Sequence, residues 1–339
     1  MHHKVVILSL MSLFSLLLIS CHAADSTDSR TYRANAVTIN PDGYHPQRNW
    51  ELKGALELPH QTPNGLPLHG LSGLTWDEHR QLLYAISDLG YLYHLKLSLR
   101  DGNLVDAKVI YAVPIQGAAP DPRGRRQADT EGIALYHDDD HPDQDELLVS
   151  FEGTPQINAY DLKGHWLRTY PLPSPYGEIT AYQDPNEELE SVIVHPHLGI
   201  LSAAEFPLRQ APQDRIDIFS LDGRHLSVPR APGPNCGLAD LQTTPTGDLL
   251  LLERCFRAFP FRLISRIRLA HLANSSPFTT QSLATKTLFS WDTSDGWKID
   301  NFEGLARLDR DRYLLVSDDN ANPLQRTLLV LIRLDAAFP

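Results

Sequence analysis

Apolar residues recur along the chain in short runs separated by polar turns, and the runs fall into five similar units. The units open with Leu71-Ser72-Gly73-Leu74, Thr130-Glu131-Gly132-Ile133, Leu189-Glu190-Ser191-Val192, Leu238-Ala239-Asp240-Leu241 and Phe302-Glu303-Gly304-Leu305. After a polar turn each continues with a β-type run: Leu82 to Ser87, Glu146 to Phe151, Gly199 to Ala204, Leu249 to Leu252 and Tyr313 to Ser317. A third strand follows, as in Tyr91 to Leu97, Ile157 to Leu162, Arg215 to Leu221, Ile264 to Leu269 and Thr327 to Leu334. A fourth follows in the first four units, at Val109 to Ile115, Trp166 to Leu172, Leu226 to Pro229 and Thr287 to Trp291. Short antiparallel strands repeated in this way predict an all-β fold, a β-propeller of four-stranded blades. Five units are countable, and six is the alternative count. The fifth unit runs out of chain after its third strand; Trp50 to Leu58 supplies the missing one and closes the ring. Two packed sheets with Greek-key links are the competing architecture.

Composition narrows the classes. The chain has 339 residues, enough for two domains or one large all-β domain, and 42% hydrophobic against 21% charged residues is an ordinary globular balance. With 30 Lys and Arg against 42 Asp and Glu, the formal charge of −12 repels polyanions and argues against nucleic acid as a partner. Residues 1–20 read as a signal peptide. Lys4 precedes the uncharged run Val5 to Ile19, which is too short to span a bilayer. That run ends in Leu18-Ile19-Ser20-Cys21, which resembles a lipobox whose Cys becomes an acylated N-terminus on the membrane. Cleavage after Ala23 with a soluble exported product is the alternative. Either way the expectation is a chain outside the cytoplasm, a cell-envelope lipoprotein or a periplasmic or secreted protein. Residues 21–49 are expected as an N-terminal extension or linker and 50–339 as the propeller domain. Oligomeric state is not legible.

The β-type runs each meet an acid: Asp88, Glu152, Glu205, Glu253 and Asp318. A regular hairpin register sets Glu131 opposite Glu152, Glu190 opposite Glu205, Asp240 opposite Glu253, and Glu303 opposite Asp318, with Ser72 opposite Asp88. Directly opposed carboxylates destabilise a sheet unless a cation, a proton or an Arg lies between them. The innermost strands of a propeller line its channel, so Glu131, Glu190, Asp240 and Glu303 are expected to converge at its mouth as ligands of a metal. Hard oxygen donors favour Ca²⁺. The competing reading makes these acids hairpin-end residues that bond backbone N–H groups.

The motifs Asp129-Thr130-Glu131-Gly132, Leu251 to Phe256, Asn301-Phe302-Glu303-Gly304-Leu305, Val316 to Asn320 and Gln325-Arg326-Thr327 together resemble the bacterial phytase-like family described by esterase-like activity of phytase. The resemblance covers about residues 68 to 334. It implies an exported β-propeller and a hydrolase of phosphate or carboxylic esters, and it carries no catalytic assignment across.

Arg254 and Arg326 follow channel acids within these motifs and are candidate clamps for the anion of a small anionic or ester substrate; Glu152 or Glu205 is the candidate general base. A calcium-dependent hydrolase is the first functional reading, a noncatalytic envelope binding or scaffold propeller the second, and a metal-dependent lactonase-like enzyme the third. Gly70-Leu71-Ser72-Gly73 lacks the spacing of a nucleophile elbow. His195-Pro196-His197 reads as a solvated turn and Asp138 to Asp143 as a solvated loop. Arg123-Gly124-Arg125-Arg126 either meets an anionic substrate or pairs with acids. Cys236 and Cys255 flank the fourth hairpin in an oxidising compartment and are expected to form a disulfide, which needs a bulge because the regular register misses it.

Overall fold

The computed structural model describes residues 32–116, 129–137, 144–184, 187–233, 235–272 and 280–335. Signal segment and Cys21, the Arg123 to Arg126 cluster and the Asp138 to Asp143 loop lie outside them. Two strands precede the first unit, β1 (Asn35–Ala36) and β2 (Trp50–Glu57). Blade 1 comprises β3 (Leu71–Asp77), β4 (Leu82–Ser87), β5 (Tyr91–Arg100) and β6 (Asn103–Pro114). Blade 2 follows with β7 (Thr130–Tyr136), β8 (Glu146–Phe151), β9 (Gln156–Tyr160) and β10 (Trp166–Tyr170). Blade 3 holds β11 (Leu189–His195), β12 (Gly199–Ala204), β13 (Arg215–Ser220) and β14 (His225–Pro229). Blade 4 is built from β15 (Cys236–Thr243), β16 (Leu249–Arg257), β17 (Arg262–Ala270) and, after β18 (Thr280–Ser282), β19 (Thr285–Asp292). β18 leaves its own blade to pair in parallel with β14. Blade 5 has β20 (Asn301–Arg307), β21 (Arg312–Asp318) and β22 (Leu328–Leu334), and β2 pairs antiparallel with β22 to complete it. The ring is therefore a five-bladed β-propeller closed by the N-terminal strand.

The middle strands are apolar on both faces because each face packs against a different blade. Leu249 and Leu251 point to blade 3, whereas Leu250 and Leu252 point to blade 5. Five such apolar clusters separate blades 1 and 2, 2 and 3, 3 and 4, 4 and 5, and 5 and 1. That is why the strands read as continuous apolar runs rather than as alternating ones. At the seam, Trp50 of the closing strand stacks on Phe289 with ring centroids 4.5 Å apart, and Trp291 and Trp297 pack against it. Residues ahead of β2 belong to the same body: Ile39 is fully buried in this cluster, and its carbonyl accepts from Lys298 N at 2.8 Å. No helix among the described residues is long and apolar enough to cross a membrane.

Candidate active site at the channel mouth

The regular register expected for the inner hairpins is corrected by a bulge in every blade. Pairing shifts between Leu71 and Gly73, Thr130 and Ile133, Leu189 and Ser191, Leu238 and Asp240, and Phe302 and Gly304. The unpaired residues include Ser72, Glu131, Glu190, Ala239 and Glu303. A bulge re-aims a side chain, and here Ser72, Glu131, Glu190 and Glu303 line the channel mouth, whereas Ala239 is buried in the apolar cluster between blades 4 and 5. None of the four expected pairs is directly opposed across its hairpin. Glu152 instead faces Asp129, its N–H donating to the Asp129 carbonyl at 2.8 Å, and Glu205 faces Glu188 in the same way at 3.2 Å. Asn301 faces Asp318.

Blade 4 differs. Leu238 faces Glu253 and Gly237 faces Arg254, so Arg254 occupies the place that Asp88, Glu152, Glu205 and Asp318 take in the other blades. Asp240 falls one residue beyond the channel position, at the place of Gly73, Gly132 and Gly304. At those glycines the blades approach so closely that a Cβ on Gly132 would lie 2.6 Å from Val192 N. Asp240 is buried there and accepts from Leu241 N and Leu305 N, both at 2.7 Å, tying blade 4 to blade 5. Expected as a fourth metal ligand at the mouth, it is absent from the residues that line it. Glu253 is likewise turned away, its carboxylate taken by Arg268 at 2.5 Å.

What converges, among the described residues, is a cavity of about 500 Å³ lined by seven carboxylates, those of Asp88, Asp129, Glu131, Glu152, Glu190, Glu303 and Asp318, and by one guanidinium, that of Arg254. Asp129, Glu131 and Glu152 each offer an oxygen, and the three lie within 4.8 Å of one another. Asp129 and Glu188 were not among the residues singled out from sequence; the Asp129-Thr130-Glu131 motif already held the first of them. Arg254 donates to Glu303 and, through Nε at 3.2 Å, to Glu205. Glu303 also accepts from Asn301 Nδ2 at 2.6 Å. A Cβ on Gly237 would strike the Glu205 carboxylate at 2.5 Å, so this glycine makes room for the ion pair.

The electrostatics follow from crowding. Burial, then Glu152 and Glu190, holds the Glu131 carboxyl well above the ordinary range. Burial and Glu205 raise that of Glu190 as well. For Glu152, burial and Asp129 outweigh the hydrogen bond from Glu188 N and lift it to about 8. In Glu303, burial and Asp318 outweigh the pull of Arg254, giving about 8. Asp318 is raised to about 7 by burial and by Asp88 against the hydrogen bond from Asn320 N. Burial alone would lower the Arg254 value, yet Glu303 and Glu205 carry it well above its ordinary level. Arg326 stands apart from this ring, in the neighbouring cavity, where it meets Asp300 at 3.1 Å and donates to the Lys298 carbonyl. His195 is a buried residue bonded to the Gly247 carbonyl at 2.7 Å rather than part of a solvated turn. The Cys236–Cys255 disulfide is present, and the bulge at Ala239 brings the two residues directly opposite each other.

The family model that matches is Phytase-like, described as esterase-like activity of phytase, over residues 66–321. No curated protein matches the chain. Among solved structures, the Cps50 (Swd1) β-propeller domain of Myceliophteria thermophila is similar at 12% identity and TM-score 0.40, over 88% of this chain and 99% of that one. A gluconolactonase from Xanthomonas campestris is similar at 13% identity and TM-score 0.38, over 88% and 98%.

Proposed function

The chain belongs to the phytase-like family, and from that premise we propose that the acidic mouth is the active site of a divalent-cation-dependent hydrolase of phosphate or carboxylic esters. The observation that carries the reading is the cluster of Asp129, Glu131 and Glu152, three carboxylates whose oxygens lie within 4.8 Å of one another in the cavity that the Arg254 guanidinium also lines. Their oxygen-only donor set fits a hard ion such as Ca²⁺, and the raised carboxyl values are those of a site that a cation would relieve. A bound cation would polarise an ester oxygen and lower the pKa of an attacking water.

The chain's own residues divide the remaining work. Arg254 offers planar donors to a phosphate or carboxylate oxygen, exchanging its hold on Glu303 for the substrate. Glu205 orients that guanidinium rather than acting as a base. Asp318, raised to about 7, is poised to take a proton near neutral pH and is the better candidate for the general base. We assign Glu190 and Glu303 to the second side of the cation cluster, and give Asp240 no part in it. Export and attachment through an acylated Cys21 complete the proposal; an unmodified mature N-terminus at Ala24, found by mass spectrometry, would contradict the anchor.

The test is a panel of phosphate monoesters, carboxylic esters and lactones assayed after chelation and after adding back Ca²⁺. Hydrolysis of an ester class that is lost on chelation and restored by Ca²⁺ supports the proposal. Absence of hydrolysis across the panel, or hydrolysis indifferent to chelation, overturns it.

A further inference from the structure

A second cavity, about 800 Å³, opens beside the acidic mouth and shares Arg254 and Asn320 with it. Its chemistry is different. Phe256 and Phe261, with ring centroids 6.1 Å apart, form an aromatic wall, and Leu324 and the Asp300–Arg326 ion pair also line the cavity. Leu324 is 91% exposed, Phe261 65% and Phe256 47%, and the adjacent Phe259 is 92% exposed. Large apolar side chains left in water cost free energy, and several gathered on one rim mark a binding surface.

The wall is a built feature of blade 4. β8 and β12 end one residue before the channel position, at Phe151 and Ala204, whereas β16 continues through Arg254 to Arg257 and β17 returns from Arg262. The hairpin thus projects above the mouth, and the Cys236–Cys255 disulfide clamps its base between Arg254 and Phe256.

We propose that this annex receives the apolar group of an amphiphilic ester whose anionic or ester head lies at Arg254. The inference rests on the hydrolase reading for the head and adds the substrate class: esters carrying an alkyl, acyl or aryl group of several carbons. Continuity fixes the occupant. A molecule whose head exchanges with Glu303 on Arg254 sits at the edge of the cavity that Arg254 lines together with Phe256 and Phe261, and burying those rings against hydrocarbon removes the exposed patch.

Calorimetric titration with methyl-, butyl- and octylphosphonate in the presence of Ca²⁺ tests this without requiring turnover. The expected result is affinity rising with chain length, by up to about fourfold per methylene buried. The double variant F256S/F261S should lose that dependence, whereas W166S, at an exposed residue on the outer strand of blade 2, should keep it. Affinity independent of chain length in the parent, a dependence that survives in F256S/F261S, or no binding of octylphosphonate overturns the proposal. So does a parent that sediments as a dimer and becomes monomeric in F256S/F261S, which assigns the patch to a second copy. Chain-length dependence without hydrolysis of any ester would leave the annex standing and remove the hydrolase reading instead.

Discussion

Blade 4 and the other blades solve the same problem with opposite charges. Where β4, β8, β12 and β21 deliver Asp88, Glu152, Glu205 and Asp318, β16 delivers Arg254. Where blades 2, 3 and 5 turn Glu131, Glu190 and Glu303 inward, blade 4 has Ala239, which carries no charge and is buried against blade 5. A ring of acids alone would be a uniform repulsive well. One guanidinium gives it direction, because carboxylates near Arg254 are ion-paired while those across the channel at Asp129, Glu131 and Glu152 have one another for neighbours. The second group is where a cation gains most, and the first is where an anion can exchange.

The largest effect should come from erasing the exception. Arg254→Leu leaves Glu303 and Glu205 without their counter-charge and should cost about 3 kcal/mol in denaturant unfolding, as for a broken buried pair. Ester hydrolysis should fall by about a hundredfold or more. Arg254→Lys should recover much of the stability but little of the activity, since an ammonium lacks the planar fork. Full activity in Arg254→Leu would remove the anion clamp.

Making blade 4 resemble its neighbours at the glycine position should have a smaller and purely structural effect. Asp240→Gly removes the acceptor for Leu241 N and Leu305 N and should cost about 1–3 kcal/mol. The shift in melting temperature on adding Ca²⁺ should not change. A reduced calcium shift in this variant would return Asp240 to the metal site.

pH should sharpen the contrast more gently. The carboxyls of Glu303 and Asp318 rise from ordinary values of 4.5 and 3.8 to about 8 and about 7 in the folded chain. The native state therefore binds more protons than the unfolded state between those limits, and its stability falls as pH climbs through the window. In chelator, the melting temperature should be higher near pH 5 than near pH 8, and Ca²⁺ should narrow the gap. A chelated protein that becomes more stable across that interval would mean that the mouth acids do not crowd one another.

The propeller was legible because its signal is redundant. Each middle strand packs on two neighbours, so runs such as Leu249 to Leu252 stay apolar at every position, and the incomplete last unit pointed to Trp50. The mouth was legible only in part. Counting outward from the turn assumes an unbroken ladder, and the bulges break it, a shift of one residue that sent Asp240 and Glu253 to the wrong places. Aligning Glu131-Gly132 and Glu303-Gly304 with Ala239-Asp240 would have put Arg254 in the acidic column. The aromatic annex gave no periodic signal, because Phe259, Phe261 and Leu324 sit in or beside turns, where projection from the fold rather than sequence spacing decides what they meet.

The central claim is that Asp129, Glu131 and Glu152 hold a divalent cation, and melting curves of the parent and Glu131→Gln with and without Ca²⁺ test it most directly. Glu131 suits the purpose better than Glu303, which also serves Arg254. A ligand bound only by the native state raises the melting temperature by mass action, so the parent should gain stability from Ca²⁺ and lose it on chelation. The variant should be less stable than the parent in saturating Ca²⁺, yet equal or more stable in chelator, where Gln needs neither the charge nor the extra proton that crowding forces on Glu131. Calcium-independent melting of the parent, or a variant with an undiminished calcium shift, would contradict the account.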